Sequence, residues 1–244
     1  MERFYLQMHI TNKCGNRCKH CYQHTYKGDD MSVEQAIEVL QELSRICKET
    51  DIKSHVAITG GDPLLHKRFM EITYTARQLC DKVVILGNPE NITKTIAERL
   101  RMIGIDGYQF SLDGTQQTHD NNRYEGSFQN TLNGMGLLKL HLVNIIVNMT
   151  VMDKNRHQVK EVEEIALAHG ASVFGKSECV PHGEDCDGKE GCSLGCSAMA
   201  ILPDMTLMAC RKVPSSILGK WQNGRGLEYH FVCNPKMIDY RSRR

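Results

Sequence analysis

The chain alternates between two rhythms of apolar and polar positions. Short runs rich in β-branched and aromatic residues occur at 4–11 (FYLQMHIT), 55–60 (HVAITG), 82–88 (KVVILGN), 108–113 (YQFSLD), 143–151 (VNIIVNMTV) and 172–180 (SVFGKSECV). Between them, at 32–48, 66–80, 91–103, 127–140 and 154–169, apolar residues recur at the spacing of one helix face. SVEQAIEVLQELSRIC shows the helical rhythm. Val33, Ala36, Ile37, Leu40, Leu43 and Ile46 share one face, Ser32 is placed to cap the N-terminus, and Gln35 stands three residues on. Six strands alternating with five helices predict repeated β–α–β units and a parallel sheet. Right-handed crossovers wind such a sheet into a partial barrel, so the expected fold is α/β, a partial (β/α)6 TIM-type barrel. Ligand-handling residues then belong at the C-terminal ends of the strands. The unusual segments obey that rule: NKCGNRCKHC follows the first strand, GGDP the second, and SLDG ends the fourth.

After about residue 181 the rhythm stops. PHGEDCDGKEGCSLGC is rich in glycine and cysteine, and AMAILPDMTLMAC then reads as a hairpin around a Pro-Asp turn. The expected organisation is a barrel over 1–181 and a small cysteine-rich domain over 182–244, held by metal rather than by a core. No sequence repeat or low-complexity segment is evident.

Composition changes this picture in two places. Charge is nearly balanced, with 30 Lys and Arg against 29 Asp and Glu, so total charge gives no argument for a nucleic-acid or membrane partner, and neither is expected. Arg241, Arg243 and Arg244 read as a solvated end. No apolar run is long enough to span a bilayer, and MERFYLQMHI lacks the basic-then-apolar order of a signal peptide, so the expected compartment is the cytosol. The 11 cysteines matter more. In a reducing compartment clustered cysteines point to metal or catalysis rather than to disulfides, and an odd number fits poorly with full pairing. Cys47 and Cys80 sit alone on helical patterns and read as small buried hydrophobes. The others form two groups, Cys14, Cys18 and Cys21 at the front, and Cys179, Cys186, Cys192, Cys196, Cys210 and Cys233 at the back.

The front group has the spacing C-x3-C-x2-C within CGNRCKHC. A structural zinc site takes four ligands, usually as two separated pairs. His20 is available as a fourth, but its neighbour Cys21 already points elsewhere on so short a loop. A [4Fe–4S] cluster is normally held by four cysteines, so three leave one iron open to a substrate or cofactor.

This loop resembles the signature of the radical SAM enzymes, in which the residue before the last cysteine is often aromatic; here it is His20, with Tyr22 following. TGGDPLL at 59–65 resembles the family's GGEP motif, with Asp62 in place of glutamate. The alternative for Gly60 and Gly61 is an ordinary turn; the glycines would let backbone approach a ligand's ammonium group. SLDGTQQTHDNNRYEGSF at 111–128 resembles a segment of radical SAM peptide and protein maturases. There a serine and an arginine twelve residues later hold the methionyl carboxylate of S-adenosylmethionine (SAM), positions taken here by Ser111 and Arg123. The arginine fork suits that carboxylate. Asn148 falls where the family often places a ribose contact, and a polar strand end is its alternative reading. These motifs run in family order over residues 5–150.

The resemblance implies a [4Fe–4S] cluster with one open iron on Cys14, Cys18 and Cys21, SAM chelated to that iron beside His20, and a flavodoxin- or ferredoxin-type reductant. One electron would cleave SAM, and the resulting 5′-deoxyadenosyl radical would abstract a hydrogen atom from substrate. The cofactor carries that chemistry and the barrel orients it.

The back cysteines resemble the SPASM/Twitch appendage of the same superfamily, whose first block reads C-x9-15-G-x4-C. Cys192, Met205 and Cys210 fit the spacing, with Met205 where the glycine of the tight turn would be. Cys186 precedes and Cys233 follows, so the resemblance implies one auxiliary [4Fe–4S] cluster on Cys186, Cys192, Cys210 and Cys233. Cys179 and Cys196 are left as substitutes for Cys186 or as free thiols. Soft thiolates suit zinc as well as iron, so a zinc knot is the alternative for this group.

The maturase-like segment and the appendage imply a peptide substrate and a thioether, carbon–carbon or epimerised product. In relatives that mature sulfatases an aspartate follows the last cysteine of the block; here Arg211 does. Thirteen residues precede Cys14, so the expectation is that a separate leader-binding protein, or the barrel rim, recognises any leader. A small-molecule radical SAM dehydrogenase or cofactor-biosynthesis enzyme is the second reading, and a zinc-stabilised binding module the third. Asp62, His66, His119 and His182 are acid or base candidates by type alone, with a solvated or structural role as the other reading of each.

Overall fold

The computed structural model describes residues 2–23, 29–178, 198–211 and 216–221. Six parallel strands and their helices follow the expected alternation. β1 is Arg3–His9, α1 Val33–Glu49, β2 Lys53–Thr59, α2 Phe69–Leu79, β3 Lys82–Leu86 and α3 Lys94–Ile103. Then come β4 (Gly107–Ser111), α4 (Gln116–Asn122), α5 (Ser127–Leu140), β5 (Ile145–Val151), α6 (Val159–Ala168) and β6 (Ala171–Glu178). Neighbouring strands from β1 to β6 pair in parallel, in sequence order. This is the expected partial barrel, and all the connections lead back to one face of helices.

Local chemistry sets the elements. Ser32 and Gln35 form a full capping box at the start of α1, and the expected face is buried, with Ile37 packed at its margin. Thr93 caps α3, and Gly104 ends it in the left-handed conformation that a glycine adopts without strain. Cys47 and Cys80 are buried in the core, as expected, and burial pushes both thiols up to about 12. His66 is structural: its Nε2 meets the Met31 carbonyl at 2.9 Å and its Nδ1 accepts from the Arg68 amide.

Two elements escape the sequence rhythm. The polar helix α4, QQTHDNN, has no apolar face to announce it. The hairpin over 198–211 does form, as β7 (Ala198–Ile201) and β8 (Thr206–Met208), followed by β9 (Ile217–Lys220). It is joined to the barrel, because β7 pairs in parallel with β1 and the sheet runs β6-β5-β4-β3-β2-β1-β7-β8-β9. Met199, Ile201, Met205, Leu207 and Trp221 enter the barrel's own core.

The hairpin turn closes with Met205 at φ 67, where a glycine would be unstrained. Its amide donates to Leu202 O and the Leu202 amide to Thr206 O, both at 2.9 Å. The side chain is buried, which compensates the strained backbone. Met205→Gly is expected to lose about 2–3 kcal/mol of packing and regain about 1 kcal/mol of backbone strain, a net fall in thermal stability readable by differential scanning calorimetry.

Among the described residues no helix is long and apolar enough to cross a membrane. Cys179, Cys186, Cys192, Cys196, Cys233 and His182 lie outside the described residues, as does most of the segment assigned to a second domain.

Candidate functional site

A cavity of about 250 Å³ opens at the C-terminal ends of the strands. Its floor follows the pleat. In β4 and β5 the residues Tyr108, Phe110, Val147 and Met149 are buried toward the helices, so Gln109, Ser111, Asn148 and Thr150 alternate with them and line the cavity. Gln7 of β1, Thr59 of β2 and Ser177 of β6 complete a polar interior. Asn148 donates to Ser177 Oγ at 3.2 Å.

Cys14, Cys18 and Cys21 line one end. The loop turns tightly, with the Cys21 amide donating to the Cys18 carbonyl at 3.1 Å. Each sulfur has a donor aimed at it: the Asn16 amide at 3.4 Å and Asn88 Nδ2 at 3.5 Å for Cys14, the Gln23 amide at 3.4 Å for Cys21, and Arg123 Nη1 at 3.7 Å for Cys18. Such donors favour thiolates. Burial acts the other way, raising the Cys14 thiol and pushing Cys18 up to about 11. A thiol raised in this way gives up its proton to an electrophilic metal rather than to water. As the side chains stand, no three His, Cys, Asp or Glu groups among the described residues are arranged to hold a single metal ion. A donor set of three thiols with hydrogen bonds to sulfur, at the mouth of a polar cavity, fits a larger iron–sulfur cluster with one open corner.

Gly60 and Gly61 hold this loop in place. The Gly61 amide donates to the Thr11 carbonyl at 2.9 Å and the Asp62 amide to the Lys13 carbonyl at 2.7 Å. A Cβ on Gly60 would overlap the Thr11 carbonyl, and one on Gly61 the Lys13 carbonyl, with Cys14 Cβ at 2.8 Å. Both glycines also line the cavity. Asp62 does not. It is fully buried behind the loop, accepting from Asn91 Nδ2 at 2.6 Å, Leu64 N at 3.3 Å and Asn88 N at 3.4 Å. Its side chain organises two loops instead of facing a ligand, and burial raises its pKa.

Arg123 is the one cationic side chain fixed in the lining, which has no carboxylate among the described residues. Its Nε donates to Asp113 Oδ2 at 2.8 Å and its Nη2 lies at 2.8 Å from the same oxygen. Asp113 is wholly buried; its Oδ1 accepts from the Thr150 amide at 2.9 Å. Burial alone would raise its pKa, but Arg123 and then His20 and Thr150 outweigh that and hold the carboxyl below its usual value. His20 lies in the cavity wall with Nε2 3.7 Å from Asp113 Oδ2 and Nδ1 hydrogen-bonded to Asn122, and burial lowers its pKa. His119 is behind this layer. Its Nδ1 accepts from the Asp113 amide, its Nε2 meets Ser127 Oγ at 3.1 Å, and burial lowers its pKa to about 4, so it serves as a neutral strut.

The structure thus brings Cys14, Cys18, Cys21, His20, Gly60, Gly61, Ser111, Arg123 and Asn148 to one cavity. Cys210 lies outside it, in a neighbouring recess. The sequence alone assigns no role to Asp113, although it stands within SLDG, nor to Asn88, Gln109, Thr150 and Ser177. For Gln109 and Thr150 the signal was a polar residue alternating with apolar ones along the strand, whereas Ser177 stands in a mixed strand, ASVFGKSE, that carries no such signal.

The sequence profile of the Radical SAM superfamily matches residues 8–166. Among curated proteins, the sporulation killing factor maturation protein SkfB of Bacillus subtilis is 29% identical over 184 residues, 74% of this chain and 44% of SkfB. Pre-heme d1 synthase of Dinoroseobacter shibae is 26% identical over 189 residues, 73% of this chain and 46% of that protein. The chain spans about half the length of these relatives. Among solved structures, Streptococcus suis SuiB bound to its precursor peptide SuiA superposes with a TM-score of 0.73 at 14% identity, covering 99% of this chain and 67% of SuiB. At 15% identity, anSMEcpe with AdoMet and the Kp18Cys peptide gives a TM-score of 0.72, over 97% of this chain and 82% of the other. These two likenesses concern the fold.

Proposed function

The chain belongs to the radical SAM superfamily, and from that premise we propose that it cleaves SAM reductively and abstracts a hydrogen atom from a peptide. The observation that carries this is the single cavity into which three thiols and the Arg123 guanidinium open, with no lining carboxylate among the described residues. When bound, a [4Fe–4S] cluster and SAM supply the electron transfer and the hydrogen-atom abstraction. Cys14, Cys18 and Cys21 hold the cluster, with Asn16, Asn88, Gln23 and Arg123 donating to the sulfurs. Arg123, pre-set by Asp113, and Ser111 take the methionyl carboxylate. Gly60 and Gly61 keep the wall thin enough for a close-lying ammonium group, Asn148 serves the ribose, and His20 borders the cofactor. A flavodoxin- or ferredoxin-type protein delivers the electron. Cys210, with Cys186, Cys192 and Cys233, holds one auxiliary [4Fe–4S] cluster.

Peptide as substrate is supported by SkfB, a maturation protein, and by SuiB, whose fold accommodates a precursor peptide. A separate leader-binding protein is part of this reading. Pre-heme d1 synthase and a probable GTP 3′,8-cyclase among the relatives favour the second reading, a small-molecule substrate. Deuterium separates the two. The reconstituted enzyme, reduced and given SAM, is offered a library of deuterated peptides or deuterated tetrapyrroles. Deuterium in 5′-deoxyadenosine from a peptide is the expected result; deuterium only from the tetrapyrrole would overturn the peptide assignment.

A further inference from the structure

Next to the main cavity lies a second recess of about 200 Å³, lined by Tyr5, Gln7, Tyr22, Met199, Cys210 and Arg211, among others. Gln7 and Tyr22 line both spaces, so the recess adjoins the place where SAM is proposed to react. Its charge is unusual. The Arg211 guanidinium carbon stands 5.2 Å over the Tyr22 ring, and Arg211 Nε is buried with no hydrogen-bond partner among the described residues. No carboxylate among the described residues lines the recess or pairs with Arg211. The adjacent His9, 1% exposed, carries a second orphaned nitrogen, Nε2, and its ring meets the same Tyr22 edge-on at 6.3 Å. Burial, with Arg211 beside it, drops the His9 pKa to about 3, so His9 is neutral and adds no second positive charge beside Arg211.

A stacked, half-buried guanidinium with no carboxylate partner among the described residues leaves one edge for a bidentate anion, and carboxylate is the anion whose geometry matches that fork. We propose that Arg211 anchors a carboxylate of the substrate and so fixes which hydrogen is presented to the reacting centre. This deepens the reading above and rests on it for the identity of the main cavity. The carboxylate belongs either to an acidic residue of a peptide or to a small free acid, and the chemistry of recognition is the same.

The test uses the reconstituted, SAM-loaded protein and three probes: acetyl-Gly-Glu-Gly-amide, acetyl-Gly-Gln-Gly-amide and glutarate. Binding is read by saturation-transfer NMR for wild type, Arg211→Gln and Arg211→Lys, with visible absorption of the cluster as the check that each variant is folded. Wild type is expected to prefer the glutamate peptide over the glutamine peptide by about tenfold, the scale of one charge-assisted hydrogen-bonded pair. Arg211→Gln abolishes the preference, and Arg211→Lys keeps part of it. Glutarate binding more tightly than the glutamate peptide supports the anchor and overturns a peptide source for the carboxylate. Equal binding of the two peptides to wild type, or a preference that survives Arg211→Gln, overturns the anchor. SAM cleavage is followed in parallel samples given dithionite as the electron donor: cleavage without any carboxylate preference sinks the anchor alone, whereas an Arg211-dependent preference without cleavage sinks the radical reading and leaves the anchor.

Discussion

Gly61→Val is expected to leave the reconstituted protein without its catalytic iron, although no metal ligand is changed. The added side chain has nowhere to go: a Cβ at residue 61 overlaps the Lys13 carbonyl and lies 2.8 Å from Cys14 Cβ. Both obstacles are parts of the cysteine loop, and the first is backbone, which cannot rotate away. Two ladder-like hydrogen bonds, Gly61 N to Thr11 O and Asp62 N to Lys13 O, tie the same two segments together and must break for the loop to retreat. Cys14 then leaves the arc it shares with Cys18 and Cys21. The expected loss is about four irons per chain, one cluster's worth. Gly15→Ala is the control, because Gly15 sits in the cysteine loop itself with nothing within 4 Å of an added Cβ, and it is expected to keep its iron. Iron analysis after anaerobic reconstitution reads both. Full iron in Gly61→Val would show that the glycine pair serves something other than seating the loop.

The second large effect is expected at Asp113. Its carboxylate is fully buried, and Arg123, with a side chain only 10% exposed, has it as counter-charge. Asp113→Asn keeps the shape and an acceptor but removes the charge, leaving a buried guanidinium uncompensated at a cost of about 3–5 kcal/mol. Part of that is expected as lost thermal stability and part as a misplaced Arg123, seen as a SAM affinity weakened by at least about tenfold in equilibrium binding. Asp113→Asn/Arg123→Met is expected to recover stability relative to Asp113→Asn while binding SAM no better, because the lone charge is gone but so is the fork. The pH dependence has a definite sign. The folded-state pKa of Asp113 lies below its usual value of 3.8, so the pair's contribution is complete above that value and is lost as pH falls through the lower, folded-state value. Stability of the wild type should therefore fall more steeply at acid pH than that of Asp113→Asn. Parallel acid curves for the two would contradict the role given to this pair.

The barrel strands and the long helices were legible because each has one buried face, and burial leaves a period in the sequence. Observed ends fall within a few residues of those read from the pattern; helix 154–169, the widest miss, begins as a 3-10 turn at Arg156–Gln158 before α6. The helix α4 was invisible because its seven residues are polar, and it owes its place to Asp113 and Asp120 contacts rather than to a face of its own. The joining of β7 to β1 could not be read either, since β7 is a four-residue run, AMAI, apolar on both sides, and nothing local specifies its neighbour. At the site, spacing and motif led to the cysteines, the glycines, Ser111 and Arg123. They did not separate Asp62, whose partners Asn88 and Asn91 lie 26 and 29 residues away, from residues that face the cavity. Asp113 had the same obscurity: its meaning lies in contacts with Arg123 and Thr150, made only after folding.

The most direct test of the central claim is anaerobic reconstitution followed by iron and sulfide analysis and EPR of the reduced protein, with and without SAM. Wild type is expected to hold about eight irons, from two four-iron clusters, and to change its EPR signal when SAM is added. The variant Cys14→Ala/Cys18→Ala/Cys21→Ala is expected to hold about four and to give a signal indifferent to SAM. Zinc in place of iron in the wild type, or a wild-type signal that SAM leaves unchanged, would contradict the account.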